Sequence, residues 1–155
     1  LDNPKYGCKS ITSIALKPSA KIYDKAATAI KQSNLIIIGP GDLYGSLLPN
    51  LIVTGASSAF KNSKAKIVYI VNLMTHFSQT SNMTASDHVK VIATALGRSP
   101  DAVILNTGRI PASITKAYAK QHEYPVVDDL KDTKSKVIRG NFVATTKLLR
   151  HDQRK

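Results

Sequence analysis

The sequence predicts an α/β fold with a mostly parallel β-sheet. Apolar runs rich in β-branched residues alternate along the chain with longer segments of helical period, which is the pattern of consecutive β-α-β units. The run Leu35–Ile38 is apolar throughout and ends in Gly39-Pro40-Gly41, as expected of a central strand covered on both faces. With 155 residues, 43% of them hydrophobic, the chain has the length for one domain with one substantial core.

The strands are predicted from short apolar runs and from alternation. Residues 11–16 alternate as a half-buried strand does, whereas the later runs are more continuously apolar, which is typical of strands inside a parallel sheet. In chain order, strands are predicted at 11–16, 35–38, 66–71 and 102–105, with weaker candidates at 126–127 and 137–138.

Helices are predicted in the segments between these strands, where apolar residues recur every three or four positions. The predicted helices cover residues 19–32, 47–62, 84–96 and 112–122. The third begins with Thr84-Ala-Ser-Asp87, which we interpret as a capping box. Asp87 and His88 are adjacent on this helix and point in different directions, so they do not form an acid–base pair with each other.

The chain carries a large excess of positive charge. Its 22 Lys and Arg residues face 10 Asp and Glu residues, which gives a net charge of +12. Such a charge attracts anions, whether nucleic acid, acidic headgroups or phosphorylated metabolites. A nucleic-acid-binding module therefore stays an alternative, although no aromatic-rich RNA-binding string or recognition-helix pattern accompanies the charge.

Several classes of protein and site are not indicated. No apolar run approaches the length of a membrane span, and the single Cys8 has no Cys or His at metal-ligand spacing. The four histidines also lack metal spacing, and no Ser-His-Asp or Cys-His arrangement is recognisable. We therefore expect a cytoplasmic protein without a membrane anchor or a metal, with no cofactor and no catalytic residue assigned.

The strongest local motif follows the strand at 35–38. A buried strand there leads through Gly39, Gly41 and Gly45 towards a helix, and free N–H groups at a helix entrance bind phosphate. The spacing matches neither the dinucleotide fingerprint nor a P-loop. A tight turn without a ligand remains the alternative interpretation.

Polar residues follow the next two strands. Asn72 and Thr75 come after the strand at 66–71, and Asn106 with Arg109 after the strand at 102–105. The carboxyl ends of parallel strands are where open α/β sheets bind ligands. Amide and hydroxyl groups there suit a base, a ribose or a sugar, and Arg109 suits a phosphate. Loop capping is an equally good explanation of Asn72 and Thr75, and arginine is also a common surface residue.

Longer strings resemble a known family. NLIIIGPGDLYGSLLPNLIV, KIVYIVNLMT, TASDHV and LLRHDQRK are similar in order and spacing to the C-terminal half or so of the CofD/YvcK-like family of 2-phospho-L-lactate transferases and gluconeogenesis factors. The resemblance implies a Rossmann-like three-layer sandwich. It also implies that residues 1–149 are the C-terminal portion of a nucleotide-sugar-binding domain whose N-terminal Gly-rich βα unit is missing, followed by a basic tail at 150–155.

The resemblance is closer to the gluconeogenesis-factor branch, because Asp42-Leu43-Tyr44 differs from the Asn-Pro-Trp-like continuation of the transferases. It implies binding of a UDP-sugar such as UDP-N-acetylglucosamine, with roles in carbon metabolism, cell-wall synthesis and cell shape. A transferase of the 2-phospho-L-lactate type is the first alternative. The implied partners are a phosphorylated metabolite and the missing N-terminal portion of the fold, and a homo-oligomer stays open.

The resemblance also implies a set of site residues. The glycine turn and Ser46 would contact phosphate, two asparagines the nucleotide or sugar, and Arg150 would be an anchoring cation. The predicted ligand-binding residues are Gly39, Gly41, Asp42, Tyr44, Ser46, Asn50, Asn72, Thr75, Tyr118 and Arg150. This chain departs from the family pattern at Gly45, where Thr is usual, and at 76–80, where Gln-Pro-Gly-Glu-Thr is common.

Overall fold

The computed structural model describes residues 11–145 and 149–151, with the backbone alone at Thr145 and Arg150. The helices are α1 (Asp24–Gln32), α2 (Leu48–Leu51), α3 (Ala56–Asn62), α4 (Ala85–Leu96) and α5 (Ala112–Ala119), and a π-helical turn at Leu43–Leu47 leads into α2. The strands are β1 (Leu35–Ile38), β2 (Lys66–Ile70), β3 (Ala102–Asn106), β4 (Lys136–Gly140), β5 (Val143–Thr145) and β6 (Leu149–His151).

The main sheet has four strands in the order β1-β2-β3-β4, and every neighbouring pair is parallel. Strands β5 and β6 form a separate antiparallel pair. The predicted α/β class and parallel sheet are therefore confirmed. Because all the strands of the main sheet run the same way, their carboxyl ends lie at one edge.

One face of the main sheet forms the floor of the core. The register places Ile67, Tyr69, Val103 and Leu105 on this face, and each is at most 2% exposed. They belong to one cluster with apolar side chains of α2, α3 and α4. Burial of this face stabilises the sheet and so holds the strand ends in place.

Helix α4 begins as its sequence predicts. The Thr84 N–H donates to Asp87 Oδ2 at 3.0 Å, and the capping box at this end is complete. Gly97 ends the helix with φ at +71°, a conformation that favours glycine. The prediction that Asp87 caps the helix is thus confirmed, and its neighbour His88 points into the core, where it is 0% exposed.

The buried His88 imidazole should make stability sensitive to acid. Its Nδ1 lies 2.9 Å from the Thr84 carbonyl oxygen, and burial lowers the pKa below 6.5, against the opposing effects of that hydrogen bond and of Asp87. The unfolded chain therefore takes up a proton first as the pH falls, so stability should decline below about pH 6.5. Urea unfolding should show a smaller decline between pH 7 and 5 for His88→Leu, whereas an unchanged decline would contradict this.

Two predicted elements are wrong at the start of the chain. Residues 11–16 form no strand. Ile11 and Ile14 pack against the core, and their spacing of three differs from the spacing of two that one face of a strand requires. The helix predicted at 19–32 begins only at Asp24. Before it, the Ile22 N–H donates to the Thr54 carbonyl and the Thr54 N–H to Ala20, both at 2.9 Å, and this pairing keeps the chain extended.

Two further predictions need correction. The helix predicted at 47–62 is divided by residues 52–55, where Gly55 has φ of +93°. Residues 126–127 form no strand, and Pro125 makes only an isolated antiparallel bridge with Met74. Proline has no N–H to donate to a ladder, which limits pairing there. The weaker candidate at 137–138 is confirmed within β4.

Candidate functional site

A cleft of about 700 Å³ lies at the carboxyl edge of the main sheet. The turn after β1, the loop after β2 and Ile104 of β3 line it together with Tyr118 of α5. Glu123, Phe142, Leu149 and His151 complete its wall. The site therefore occupies the edge at which open α/β sheets bind ligands.

The turn after β1 enters the cleft because Gly39 allows a sharp change of direction. Gly39 has φ of +85°, and a Cβ atom there would lie 2.9 Å from the Ile70 carbonyl oxygen. The residues that follow, Pro40, Gly41 and Asp42, line the cleft. Glycine is needed at this position both for the backbone conformation and for the close approach to β2.

The π-helical turn places its side chains away from the cleft. The Asp42 carbonyl accepts hydrogen bonds from the Ser46 and Leu47 N–H groups, both at 2.9 Å. Tyr44 is only 8% exposed and belongs to the core. Ser46 and Asn50 are exposed, and Asn50 Nδ2 donates to the Ser46 carbonyl at 2.7 Å. None of Tyr44, Ser46 and Asn50 is among the residues that line the cleft.

Asn72 and Thr75 lie in the loop after β2 and both line the cleft. The Asn72 Oδ1 atom is buried and has no hydrogen-bond donor among the described residues. Thr75 is tied to the neighbouring segment, since its Oγ1 accepts the Tyr124 N–H at 3.0 Å while its own N–H donates to the Tyr124 carbonyl at 2.7 Å. Thr75 thus fixes the wall of the cleft, and the Asn72 Oδ1 atom lies behind its surface.

Two titratable residues that sequence reasoning missed lie together in the wall. His76 Nε2 is 3.8 Å from Glu123 Oε1, and both residues line the cleft. The other ring nitrogen of His76 lies 3.2 Å from Ser78 Oγ. The string at 76–80 departs from the family pattern. The pairing of His76 with Glu123, however, depends on a long-range contact that no sequence motif marks.

His151 was also missed, although it follows the predicted Arg150. Its Nε2 lies 3.2 Å from the Val71 carbonyl oxygen, so this nitrogen carries the proton in the contact. Burial lowers the pKa of His151, against the opposing effect of that hydrogen bond. The His151 imidazole lines the cleft. Arg150 pairs through its backbone with Ala144, and its side chain falls outside the described part of the structure.

The structure thus brings Gly41, Asp42, Asn72, Thr75 and Tyr118 into one cleft. Within the described residues, no three His, Cys, Asp or Glu side chains are grouped as metal ligands. None of the described helices combines the length and the apolar character that a membrane span requires. Arg109, suggested for phosphate, is exposed and lies outside the cleft lining.

Comparison with known proteins assigns the family. The family model described as "2-phospho-L-lactate transferase CofD" matches residues 3–143. The chain belongs to the CofD family. Among its curated relatives, a Bacillus subtilis protein named "Gluconeogenesis factor" is 35% identical over 98% of this chain and 50% of the relative. A Listeria monocytogenes protein of the same name is 39% identical over 68% of this chain and 34% of the relative.

A solved structure extends this similarity to the fold of this CofD family member. A Bacillus halodurans protein solved by X-ray crystallography superposes with a TM-score of 0.90 and 37% identity, over 97% of this chain and 50% of that one. A second structure from the same organism, described as a member of the upf0052 family, gives a TM-score of 0.87. The chain thus spans about half the length of the relatives that it matches.

Proposed function

We propose that the cleft binds a phosphorylated, nucleotide-linked small molecule, with a UDP-sugar such as UDP-N-acetylglucosamine as the first candidate. The cellular role proposed with it is that of a cytoplasmic gluconeogenesis factor that affects carbon metabolism, cell-wall synthesis and cell shape. The observation that carries the proposal is the cleft itself, in which the glycine turn and Asn72 face one space at the carboxyl edge of the sheet.

The glycine turn is the proposed phosphate subsite. Its residues Gly41 and Asp42 precede the π-helical turn and line the cleft. N–H groups in the first turn of a helix have no partner inside the helix and favour an anion. The net charge of +12 favours the approach of a diphosphate from solution.

Asn72 is the proposed contact to the base or sugar. A buried carbonyl oxygen without a donor is destabilising, and a ligand N–H or O–H would satisfy it once the amide turns towards the cleft. The Asn72 side chain lies in the same cleft as the glycine turn. Tyr118, which also lines the cleft, offers an aromatic ring against which the ligand packs.

Isothermal calorimetry with UDP-N-acetylglucosamine tests this assignment. Asn72→Ala should weaken binding about tenfold, or about 1.4 kcal/mol, because one buried hydrogen bond is lost. Asn50→Ala is the matched control, since Asn50 is exposed and its side chain bonds, among the described residues, to the Ser46 carbonyl of its own helical turn. It should leave the affinity unchanged. Absence of binding by the unmodified chain, or equal losses in the two variants, would contradict the proposal.

A phospholactyl transferase is the second candidate, and the description of the family model that matches residues 3–143 favours it. The same cleft would then hold a nucleotide-linked phospholactate with a flavin-like acceptor beside it. An acceptor hydroxyl would form the new bond to the phospholactyl phosphorus, and the phosphoanhydride would break to release a nucleoside monophosphate. Mass spectrometry of a mixture of the chain, this donor and the acceptor distinguishes the two functions. A phospholactylated acceptor would establish the transferase, whereas sugar-nucleotide binding without transfer supports the first candidate.

A further inference from the structure

A histidine and a glutamate lie opposite each other in the cleft wall. Two hydrogen bonds join Thr75 to Tyr124, in register with the isolated antiparallel bridge that precedes them. The next pair in this register is His76 and Glu123, whose Nε2 and Oε1 atoms are 3.8 Å apart. Both residues line the cleft. The contact therefore follows from the pairing of two backbone segments.

The loop that carries His76 is fixed by its own hydrogen bonds. The His76 N–H donates to Thr80 Oγ1 at 2.8 Å, and its carbonyl accepts the N–H groups of Gln79 and Thr80 at 3.0 and 2.8 Å. Ser78, Gln79 and Thr80 are buried. Gln79 Nε2 lies 3.8 Å from the position of a Cβ at Gly45, so the loop packs beside the π-helical turn. The imidazole is thus held in the same cleft as the proposed phosphate subsite.

A diphosphate in this cleft requires a positive charge near it. None of the described lining residues is Lys or Arg, although the chain carries a net charge of +12. The titratable residues of the described lining are Asp42 of the turn after β1, Tyr118 of α5, Glu123, His76 and His151 of β6. Two carboxylates there repel a phosphate, and only the two histidines can become cations. Burial disfavours the charged form of His151, whereas the His76 side chain is 33% exposed.

We propose that His76, positioned by Glu123, is the cationic contact to a phosphate of the bound ligand, and that the imidazole takes up a proton from solvent when the ligand binds. This inference rests on the proposed function and adds a second phosphate contact to the glycine turn. A carboxylate 3.8 Å away attracts a protonated ring. An imidazolium N–H in turn donates a charge-assisted hydrogen bond to a phosphate oxygen.

The coupling to a proton gives the binding a definite pH dependence. Histidine ordinarily titrates near about pH 6.5. Because a phosphate beside the ring favours its charged form, the complex holds this proton more tightly than the free protein does. The affinity should therefore be higher below the ordinary histidine range and should fall as the pH rises through it.

Calorimetry of the full 155-residue chain with UDP-N-acetylglucosamine at pH 6 and pH 8 tests the inference. The diphosphate of this probe is a diester that stays fully ionised between these values, so a change in affinity reports on the protein. The unmodified chain should bind about tenfold more tightly at pH 6, the effect of one charge-assisted hydrogen bond. Buffers of different ionisation enthalpy should show net proton uptake at pH 7. His76→Gln should bind equally at both values.

Two further variants separate this role from a structural one. Glu123→Gln keeps the shape of the side chain and removes its charge, so it should reduce both the pH dependence and the proton uptake, whereas a structural role would lower the affinity equally at both values. His122→Asn is the control, because His122 is exposed and lies outside the cleft lining, and asparagine tolerates its φ of +58°. It should keep the tenfold difference. Circular dichroism at pH 6 checks that each variant is folded.

The contrary outcomes are distinct from one another. Equal binding by the unmodified chain at the two pH values overturns the inference and leaves the proposed function in place. An unchanged pH dependence in His76→Gln also overturns it, and assigns the proton to another group of the cleft. Absence of binding by the unmodified chain at both values overturns the proposed function, and this inference with it.

Discussion

Gly39→Ala should lower the free energy of unfolding by about 2–4 kcal/mol. A side chain at a left-handed backbone position costs about 1–2 kcal/mol, and Gly39 has φ of +85°. The new Cβ would also lie 2.9 Å from the Ile70 carbonyl oxygen, and overpacking of this kind costs about 1–3 kcal/mol. Because that oxygen belongs to the backbone of β2, it has little freedom to move. Urea unfolding at neutral pH measures the loss.

Gly45→Ala is the matched control for this substitution. A Cβ at Gly45 would meet the Asp42 Cβ at 3.5 Å, which is ordinary contact, and its φ lies outside the left-handed region. Alanine is favoured over glycine in a helical turn by about 0.5–1 kcal/mol, so stability should be unchanged or slightly higher. A loss below about 0.5 kcal/mol for Gly39→Ala would show that the turn after β1 relaxes easily.

The sequence was most informative where the fold depends on local pattern. The apolar run Leu35–Ile38 and the glycines after it locate a strand and its turn, because both signals are properties of neighbouring residues. The expectation of a central strand covered on both faces is wrong for the described residues, since β1 lies at an edge of the sheet and Leu35 and Ile37 are exposed. A continuous apolar run does not show which neighbours a strand has in the sheet. The same reasoning found the start of α4 from Thr84 and Asp87. In these cases the interactions lie within a few residues, as in the bond from the Thr84 N–H to Asp87.

Long-range contacts account for what sequence reasoning missed. The helix predicted at 19–32 starts late because residues 20–22 pair with Thr54, and nothing near residue 20 signals that partner. His151 lies in the cleft wall because its ring contacts the carbonyl of Val71, a residue 80 positions earlier in the chain. Tyr44 fits the glycine motif by position, yet its ring lies in the core. The direction in which a side chain points depends on tertiary packing, which the spacing of residues in the sequence does not reveal.

Asp101 is a further residue without any sequence signal, and it connects strands at the amino edge of the main sheet. Its Oδ2 accepts the Ile67 N–H at 3.0 Å and the Arg98 guanidinium at 2.6 Å, and its Oδ1 accepts Lys66 Nζ at 2.9 Å. Its backbone continues the network, with the N–H donating to Ile67 at 2.8 Å and the carbonyl accepting from Lys136 at 2.9 Å. One side chain thus holds the starts of β2 and β3 in register.

Asp101→Ala should lower the free energy of unfolding by about 2–3 kcal/mol. The substitution leaves the N–H of Ile67, a residue that is 0% exposed, without its acceptor, and an unsatisfied buried donor costs about 1–3 kcal/mol. The ion pair with Lys66 adds little, because Lys66 is 74% exposed and exposed pairs contribute about 0–1 kcal/mol. Lys66→Ala should therefore change the free energy of unfolding by less than about 0.5 kcal/mol. Asp101→Asn keeps an acceptor, so its loss of stability should lie between those of Lys66→Ala and Asp101→Ala.

The pH dependence of this loss distinguishes the effect of the carboxylate charge from the effect of lost side-chain contacts. Burial alone raises the pKa of Asp101, but the hydrogen bonds from Ile67 and Lys66 and the charge of Arg98 outweigh it and hold the pKa below its ordinary value of 3.8. With a folded pKa below the unfolded one, the contribution is complete above about pH 4 and is lost as the pH falls through the folded value. Urea unfolding should therefore show the gap between the unmodified chain and Asp101→Ala narrowing below pH 4. A gap of constant size down to pH 2.5 would assign the effect to lost contacts of the side chain and not to its charge.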